Sequence, residues 1–314
     1  MAKVSIIIPV YGVERYIEKC VRSLFEQTLT DIELVFVDDC STDGSMDILR
    51  TLTDEYKDRL EAEQKTVRIE RMPQNSGQAD VRQYAITLCT GDYIIHCDSD
   101  DWVEPDMYRS MYEAAIRENA DMVVCDAYEH EREKVIHSAG CRTTIINDFL
   151  SDCLTQRSLR TLWNKLIRRE ICQSVPTLPL ANMGEDMVLI SLYMLRMKKM
   201  TYVAEAYYHY IKTHPSITFT YTKEAVIVKY KQQYKNVKIL AESMTKANQY
   251  FLYEKVLESL YFRTAERLIP CIKDKEVRTL WNRHFQNKRT SYFTNKLIPL
   301  KKKIQHGMIL LRII

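Results

Sequence analysis

Residues 92–101 read Asp92-Tyr-Ile-Ile-His-Cys-Asp98-Ser-Asp-Asp101, an apolar run that ends in three carboxylates within four positions. The run follows the turn signal Thr90-Gly91, and this context predicts a short buried strand. Ligand sites in open α/β sheets lie at the carboxyl ends of strands. Three like charges at such a place repel one another, and a hard divalent cation such as Mg²⁺ or Mn²⁺ would balance them. A solvated acidic turn before the next helix is the alternative.

Strand-like and helix-like patterns alternate along the first 125 residues. Short apolar runs predict buried strands, and apolar residues at helical spacing predict helices between them. This alternation predicts an α/β fold with a mostly parallel sheet that is flanked by helices. Besides the carboxylate strand, the predicted strands are 4–10, 32–37, 67–70 and 122–125, and the predicted helices are 13–28, 78–89, one after Ser41-Thr42-Asp43-Gly44 and one from Pro105.

The rest of the chain is less regular. The polar stretch 129–144 predicts a hairpin, and helical segments are predicted at 147–155 and 186–198. From residue 223 onward, helical sequence rich in Tyr and charged residues dominates. We therefore expect a main α/β domain at 1–222 and a helical, basic C-terminal appendage at 223–314.

The composition is that of an ordinary globular protein, with 46% hydrophobic and 28% charged residues. The nine Cys include no C-x-x-C pair, which predicts free thiols in a reducing compartment and not disulfides or a zinc site. Met1-Ala2-Lys3 leads directly into a strand-like run without a signal-peptide pattern, and no apolar stretch reaches the ~18 residues of a membrane span. These features predict a cytoplasmic location.

Charge is distributed unevenly along the chain. Residues 270–314 contain eleven Lys/Arg and two acidic residues, a net charge of 11 − 2 = +9, which leaves +3 − 9 = −6 for the other residues. Lys301-Lys302-Lys303 precede an apolar end, and that pattern suits a membrane surface with anionic lipids. We expect 296–314 either to bind the inner face of the plasma membrane peripherally or to pack on the body of the protein.

Polar residues also follow the second strand and the loop at 75–77. Asp38 and Asp39 can accept hydrogen bonds from a base imide or from a ribose hydroxyl, unless one of them caps the next helix. Arg82 could clamp a diphosphate, although a salt bridge to an Asp is the alternative. The chain has no G-x-G-x-x-G after the first strand and no G-x-x-x-x-G-K-[ST], which disfavours a dinucleotide-binding Rossmann fold and a P-loop NTPase.

These motifs, taken in order, resemble glycosyltransferase family 2, closely over about residues 3–125 and more loosely over 160–220. The resemblance is to bacterial members that build cell-surface polysaccharides, and it implies a GT-A fold, a nucleotide-sugar donor and inverting chemistry. Two positions depart from the family pattern: Cys40 stands where a small residue, often Gly, is usual, and Gln83 where Asn is common. The motifs that carry the resemblance are Val4-Ser-Ile-Ile-Ile-Pro-Val-Tyr11, Tyr16-Ile-x-x-Cys-Val-x-Ser-Leu-x-x-Gln-Thr28, Glu33-Leu-Val-Phe-Val-Asp-Asp-Cys-Ser-Thr-Asp-Gly44, Asn75-x-Gly77 with Arg82, and Gly91-Asp-Tyr-Ile94 with Asp98-Ser-Asp-Asp-Trp102.

The resemblance implies roles on the donor side. Residues expected to contact the donor nucleotide and its diphosphate are Pro9, Tyr11, Asp38, Asp39, Arg82, Asp98 and Ser99. Asp98 and Asp100 would form the Asp-x-Asp pair that meets the ribose and the Mn²⁺ or Mg²⁺ ion. His214 lies in a segment similar to a family loop that folds over the diphosphate, so it is a candidate metal ligand, or else an ordinary surface histidine.

The resemblance also implies roles on the acceptor side. Asp186 is the predicted general base that takes the proton of the acceptor hydroxyl, with Glu185 as its support. A simple preference for acidic residues at a helix N-terminus would give the same local sequence. Trp163, Lys165 and Asp101 are the predicted acceptor-side residues, although Trp163 could instead belong to the core.

The resulting hypothesis is an inverting, metal-dependent glycosyltransferase whose GT-A domain at 1–222 has a donor half at about 1–126 and an acceptor half at 127–222. It would move a sugar from a nucleotide-sugar, with UDP-sugar as the first choice, to a saccharide or lipid-linked saccharide. No nucleic-acid partner is expected. A sugar-nucleotidyltransferase and a non-catalytic sugar-nucleotide-binding protein are the alternatives. Free UDP as a product, dependence on pyrophosphate, or binding without turnover would distinguish the three.

Overall fold

The computed structural model describes residues 2–132, 134–212, 220–286 and 288–310. The chain divides into two compact units. The α/β unit comprises Met1–Leu150, Ser158–Pro179 and Leu189–His214, and the helical unit comprises Ser151–Arg157, Leu180–Val188 and Pro215–Ile314.

The centre of the α/β unit is a sheet in which nine described strands run in the order β3-β2-β1-β4-β8-β6-β9-β5, with β7 paired to β6. The predicted strands of the first half and the hairpin within 129–144 are confirmed, whereas β5, β8 and β9 were not predicted. The strands are β1 Val4–Val10, β2 Ile32–Asp38, β3 Thr66–Arg71, β4 Tyr93–His96, β5 Trp102–Val103, β6 Met122–Glu131, β7 Lys134–Ser138, β8 Lys165–Arg168 and β9 Met200–Ile211.

The first four of these strands in space are parallel, as the alternating pattern predicted. Val4 pairs with Ile32 on β2 and with Tyr93 on β4, which places the carboxyl ends of β1, β2 and β4 at the same edge. Beyond β4 the sheet becomes mixed, because β8 runs antiparallel to both β4 and β6 while β9 runs parallel to β6. The GT-A type of fold implied by the sequence is thus a parallel half joined to a mixed half.

Helices flank the sheet, and β1 and β2 are buried on both faces. This burial is what a parallel sheet between two helical layers requires. Gly91 sits where a Cβ would lie 2.7 Å from the backbone nitrogen of Ser5, so the turn before β4 needs glycine. The helices from the first half onward are α1 Ile17–Phe25, α2 Ser45–Glu55, α3 Lys57–Ala62, α4 Gln78–Leu88, α5 Met107–Glu118, α6 Ile146–Leu154, α7 Arg169–Ser174 and α8 Glu185–Met194.

The helical unit has its own aromatic core, built around Phe262, Trp281, Phe285 and Tyr292. Side chains of Thr222 and Asp274 cap the N-termini of α9 and α11 by accepting backbone N–H bonds. The helices of this unit are α9 Lys223–Lys246, α10 Tyr250–Thr264, a 3-10 helix Ala265–Cys271, α11 Lys275–His284, α12 Arg289–Thr294 and α13 Leu300–Leu310.

The basic helix α13 packs within the helical unit, which was one of the two expectations for it. His306 and Ile309 are buried, and the Nδ1 atom of His306 lies 2.5 Å from the Tyr292 hydroxyl. Leu300 and Ile304 of the same helix are exposed. Within the described part of the chain, no helix combines the length and the apolar character that crossing a membrane requires.

Candidate active site

The three carboxylates form a turn at the carboxyl end of β4. The Asp101 N–H donates to the Asp98 carbonyl oxygen at 3.1 Å, and β5 begins at the next residue. The Asp39 N–H donates to the Val10 carbonyl at 2.9 Å, so the ends of β1 and β2 lie side by side. The parallel sheet therefore brings the predicted donor residues of β1, β2 and β4 to one edge, as expected from their positions.

Arg82 holds one of these carboxylates. Its Nη2 atom donates to Asp98 Oδ1 at 2.6 Å, and the arginine is only 1% exposed. Arg82 lies on the helix α4, which begins directly after Gly77, a residue with φ of +84°. The structure thus pairs Arg82 with Asp98, which is the salt bridge that the sequence offered as an alternative, and it joins a buried guanidinium to a partly exposed carboxylate.

Asp101 is buried and is held from β9, a strand that the sequence did not predict. Its Oδ2 atom accepts the Tyr208 hydroxyl at 2.7 Å, and its Oδ1 atom accepts the Ile211 N–H at 2.8 Å. The Tyr208 oxygen in turn accepts the Asp98 N–H at 3.0 Å. Tyr208 is therefore a residue of the site that sequence reasoning missed. The aromatic run Tyr207-Tyr208-His209-Tyr210 was the available signal for a buried strand.

The carboxylates of the turn lie close together, and their negative charges repel one another. Burial, and then the charge of Asp98, raise the pKa of Asp100 to about 6. Burial, followed by the charges of Asp100 and Asp98, raises the pKa of Asp101 well above its usual range. A divalent cation would relieve this repulsion, and carboxylate oxygens are the ligands that Mg²⁺ and Mn²⁺ prefer. Asp98 and Asp100 therefore fit the metal that the sequence predicts.

No group of three or more His, Cys, Asp or Glu side chains that could enclose a metal ion occurs among the residues the structure describes. Sites that use one or two carboxylates together with substrate phosphates need no such enclosure. His214, the other predicted ligand, lies outside the described residues.

The acidic pair after β2 has two different sets of partners. Asp39 accepts the backbone N–H groups of Ser76 and Gly77 at 2.7 and 2.8 Å, which fixes the loop before α4. Asp38 accepts the Ser41 N–H at 2.7 Å and pairs with Arg71 at 3.1 Å. Both carboxylates are buried at the carboxyl end of β2.

The remaining residues that are predicted to contact the donor lie at the same edge. Tyr11, directly after β1, is 55% exposed, while Ser99 is buried within the carboxylate turn. Pro9 is half-buried near the end of β1. An exposed tyrosine at a sheet edge can stack on a nucleotide base.

The two departures from the family pattern have clear structural settings. Cys40 has φ of +64°, a left-handed conformation that glycine adopts without strain, and its thiol donates to the Met72 carbonyl at 3.2 Å. Gln83 faces away from the carboxylates: its amide bonds the backbone of Leu178 through both the oxygen and the nitrogen. It lines a separate cavity of about 380 Å³ in the α/β unit.

Trp163 and Lys165 lie inside the α/β unit. Trp163 is 2% exposed and stacks on Tyr208 with ring centroids 4.1 Å apart. The Lys165 ammonium is buried and donates to the carbonyl oxygens of Leu159 and Thr161. Trp163 thus packs behind the tyrosine that holds the carboxylate turn. An acceptor role for Trp163 and Lys165 remains a prediction that requires them to become exposed.

Glu185 and Asp186 belong to the helical unit, where they begin α8 after Gly184, which has φ of +87°. Asn236 on α9 holds the segment before them. Its amide nitrogen donates to the carbonyls of Ala181 and Met183, and its oxygen accepts the Ala181 N–H at 2.9 Å. These hydrogen bonds fix the loop that leads into the predicted base, Asp186.

A histidine cluster beside the carboxylate turn was also missed. His209 stacks on Trp102 with centroids 3.4 Å apart, its Nε2 atom lies 2.8 Å from Glu104 Oε1, and its Nδ1 atom lies 2.9 Å from His130 Nε2. Trp102 and His209 face each other in the β5–β9 pair. The cluster fixes the strand that supplies Tyr208.

The fold and this geometry agree with comparisons to known proteins. Residues 5–174 match the model of Glycosyl transferase family 2, which is more than half of the chain. The chain therefore belongs to glycosyl transferase family 2, and the prediction of a glycosyltransferase with a GT-A fold is confirmed at the level of family and fold.

Individual known proteins are similar to this chain in sequence or in fold. Glycosyltransferase GlyA of Streptococcus pneumoniae serotype 4 is 27% identical over 71% of this chain and 32% of its own. The crystal structure of S. aureus TarS 1-349 in complex with UDP-GlcNAc superposes with a TM-score of 0.65 and 20% identity, covering 98% of this chain and 79% of that one. Mannosyltransferase PcManGT from Pyrobaculum calidifontis, in complex with GDP-Man and Mn²⁺, superposes with a TM-score of 0.58 and 12% identity. The match covers 98% of this chain and 85% of that one. At these identities the structural likeness shows the fold.

The chain also differs in extent from its curated relatives. It spans 32%, 64% and 40% of the length of three that it matches. Activity, substrates and partners are therefore proposed below from the site itself.

Proposed function

We propose that this chain is an inverting, metal-dependent glycosyltransferase that moves a sugar from a UDP-sugar to a saccharide or lipid-linked saccharide in cell-surface polysaccharide synthesis. The observation that carries the proposal is the carboxylate turn at Asp98, Asp100 and Asp101, braced by Arg82 and Tyr208 at the carboxyl end of β4. The UDP-GlcNAc bound to TarS and the GDP-Man with Mn²⁺ bound to PcManGT support it by analogy of fold.

The donor nucleotide would lie across the edge formed by β1, β2 and β4. Tyr11 would stack on the base, and Pro9 would line it. Asp39 and Asp38, whose buried carboxylates already accept backbone N–H bonds, would accept from the uracil and ribose through their remaining lone pairs. Asp98, Ser99 and the Arg82 that orients Asp98 would meet the ribose and diphosphate.

Asp100 and Asp98 would hold Mn²⁺ or Mg²⁺, with His214 as a further candidate ligand. When bound, the ion supplies positive charge that stabilises the diphosphate as it leaves. Arg82 and Tyr208 already fix the two ends of the carboxylate turn. The carboxylates therefore need no rearrangement when the donor and the ion bind.

The acceptor hydroxyl would lose its proton to the Asp186 carboxylate, which Glu185 supports. The acceptor oxygen then forms a bond to the anomeric carbon, while the bond from that carbon to the diphosphate oxygen breaks on the opposite face. The nucleoside diphosphate leaves with the electron pair, and the configuration is inverted. A positioned carboxylate base of this kind contributes typically ~10²–10⁴-fold.

These roles assign a function to each segment of the chain. We assign donor binding to about 1–126, acceptor binding to 127–222 and an accessory function to the basic region 223–314. The exposed Leu300 and Ile304 beside Lys301 and Lys303 suit a peripheral position on an anionic membrane surface. Cosedimentation with vesicles of anionic lipid, and its absence with zwitterionic vesicles, would support this position. Equal binding to both kinds of vesicle, or binding to neither kind, would contradict it.

The donor site is tested by thermal unfolding with UDP, GDP and CMP, each with and without Mn²⁺. Because a ligand of the native state raises the melting temperature, UDP with Mn²⁺ should stabilise the wild type. Asp100→Asn should abolish that stabilisation. Asp92→Asn, which removes an exposed carboxylate just before β4, should retain it and serves as the matched control.

Product analysis completes the test. Release of free UDP from a UDP-sugar, dependent on acceptor, is the expected result. Dependence on pyrophosphate would indicate a nucleotidyltransferase instead, and binding without turnover would indicate a sugar-nucleotide-binding protein. Failure of every nucleotide to stabilise the protein would refute the donor site.

A further inference from the structure

The helical unit contains a cavity of about 410 Å³ that lies outside every role assigned above. Pockets that hold small ligands usually measure ~300–1,000 Å³, so the volume suffices for a small anionic group. Its walls come from α9, α10, the 3-10 helix and α13. Four cationic side chains line it: Lys229, Arg263, Arg267 and Lys302.

The described residues of the lining include one carboxylate, that of Glu266. Glu266 pairs with Lys302 at 3.0 Å. Four cationic side chains and one carboxylate give the wall a charge of 4 − 1 = +3. This excess suits an anion that carries two or more negative charges.

Neutral oxygens orient the other three cationic groups. Arg263 donates to the Thr155 carbonyl at 2.6 Å and to the Gln156 side chain. Arg267 donates to Gln233 Oε1 at 2.9 Å, and Lys229 donates to the Thr220 carbonyl at 2.5 Å. Such bonds hold the side chains in place.

Burial works against these charges. It is the leading cause that lowers the pKa of Lys229, Arg263 and Arg267. Partly buried charges of one sign cost free energy unless an opposite charge joins them. Two guanidinium groups present planar forks that match the oxygens of a phosphate, and an ammonium adds a point charge beside them.

We propose that this cavity binds a phosphate or diphosphate group. Within the proposed function, on which this part of the inference rests, the group belongs to the acceptor substrate. The acceptor of the reaction is thus a phosphate-bearing saccharide, recognised in the unit that also carries Asp186.

Two nearby residues of α9 connect the cavity with the segment before Asp186. Gln233 lines the cavity and accepts from Arg267, and its Cγ lies 4.0 Å from where a Cβ on Gly184 would be. Asn236, one turn further along α9, holds the carbonyls of Ala181 and Met183. A phosphate in the cavity would therefore contact side chains that are fixed relative to the predicted base.

Isothermal titration calorimetry of the full chain with inorganic pyrophosphate tests the proposal. EDTA in the buffer and constant ionic strength keep metal-dependent binding at the donor site out of the measurement. We expect Arg267→Gln to weaken pyrophosphate binding at least tenfold, and Lys238→Gln, an exposed position on α9, to leave it unchanged. Arg267→Lys keeps the charge but loses the planar fork, so it should weaken pyrophosphate binding less than Arg267→Gln does, which separates lost charge from lost folding.

Glu266→Gln gives a test of opposite sign. Removing the carboxylate of the lining should tighten pyrophosphate binding several-fold. No binding at millimolar pyrophosphate, or equal binding by the wild type, Arg267→Gln and Glu266→Gln, would overturn the proposal.

Competition distinguishes the source of the phosphate. A saccharide diphosphate should displace pyrophosphate, whereas the same saccharide without phosphate should not. Failure of the saccharide diphosphate to compete would overturn the assignment to the acceptor. Stabilisation by UDP with Mn²⁺, measured on the same variants, reports on the donor site independently, so failure of this inference and failure of the proposed function give different results.

Discussion

The Tyr208 hydroxyl donates to Asp101 Oδ2 at 2.7 Å across 107 positions of the chain. The same oxygen accepts the Asp98 N–H at 3.0 Å, so one side chain of β9 bridges both ends of the carboxylate turn. Tyr208 is fully buried and stacks on Trp163, which leaves the hydroxyl little freedom to move. The shape of the candidate metal site is therefore set from the far half of the sheet.

Tyr208→Phe removes this bridge while it keeps the ring and its packing. We expect a loss of about 1.5–3 kcal/mol in the free energy of unfolding, since the lost bond is one to a charged group. Binding of UDP with Mn²⁺ should also weaken, because Asp98 and Asp101 lose their common partner. Urea unfolding and thermal shift measure the two effects. Tyr202→Phe, which breaks another tyrosine–aspartate bond at Asp126, should cost stability without affecting UDP binding.

Arg82→Met leaves the Asp98 carboxylate without its buried guanidinium partner. Breaking a buried ion pair by removing one partner costs about 3–5 kcal/mol, and we expect a loss at or below that range because Asp98 is partly exposed. Arg22→Met breaks the exposed pair with Glu55 and should cost clearly less stability than Arg82→Met, because solvent screens exposed charges. Comparable losses in the two variants, by urea unfolding, would contradict a special role for Arg82.

Asp100 should make metal-dependent donor binding depend on pH. Its pKa in the folded protein is about 6, above its ordinary value of 3.8, so the metal-free fold binds a proton that the unfolded chain releases. Stability from this proton is present below about pH 4 and is lost as the pH rises through 6. The metal requires the ionised form, and UDP–Mn²⁺ affinity should therefore fall as the pH drops below 6.

Two measurements check this pH dependence. Affinity for UDP with Mn²⁺ should be titrated from pH 5 to pH 8 at constant ionic strength. Asp100→Asn should raise the metal-free melting temperature at pH 7, with a difference that shrinks toward pH 4. Asp92→Asn should change neither profile. A wild-type affinity that does not vary across this range would show that Asp100 does not titrate there.

Cys40 carries a left-handed backbone where the family pattern favours a small residue. Cys40→Gly and Cys40→Ala both remove the thiol. The difference between their free energies of unfolding therefore isolates the cost of a Cβ at φ of +64°. The glycine variant should be about 1 kcal/mol more stable than the alanine variant, as measured by urea unfolding. An alanine variant of equal or greater stability would show that the loop relaxes without strain.

Asp186→Asn tests the proposed base. The turnover number should fall by about 10²–10⁴-fold, while stabilisation by UDP with Mn²⁺ stays at the wild-type level. Asn236→Ala should lower turnover to a smaller extent, because it releases the loop that frames Asp186 but keeps the carboxylate. If Asp186→Asn retains wild-type turnover with saturating acceptor, another group takes the proton.

The parallel half of the sheet and the residues at its carboxyl edge could be predicted from the amino-acid sequence alone. β1, β2 and β4 are short apolar runs that are buried on both faces, and such runs are recognisable without knowing their neighbours. Their ends therefore located Asp38, Asp39 and Asp98–Asp101, and the ordered motifs around them indicated the family that the comparisons then showed.

The contacts that hold those residues in place could be read only from the folded chain. β9 pairs with β6 across a register shift and with β5 over two residues, and neither pairing leaves a local signal in the sequence. The Tyr208–Asp101 bond and the burial of Trp163 behind it follow from that pairing. The four cationic side chains of the helical-unit cavity likewise come from separate helices. Contacts between distant segments depend on packing and register, and short-range patterns carry no information about either.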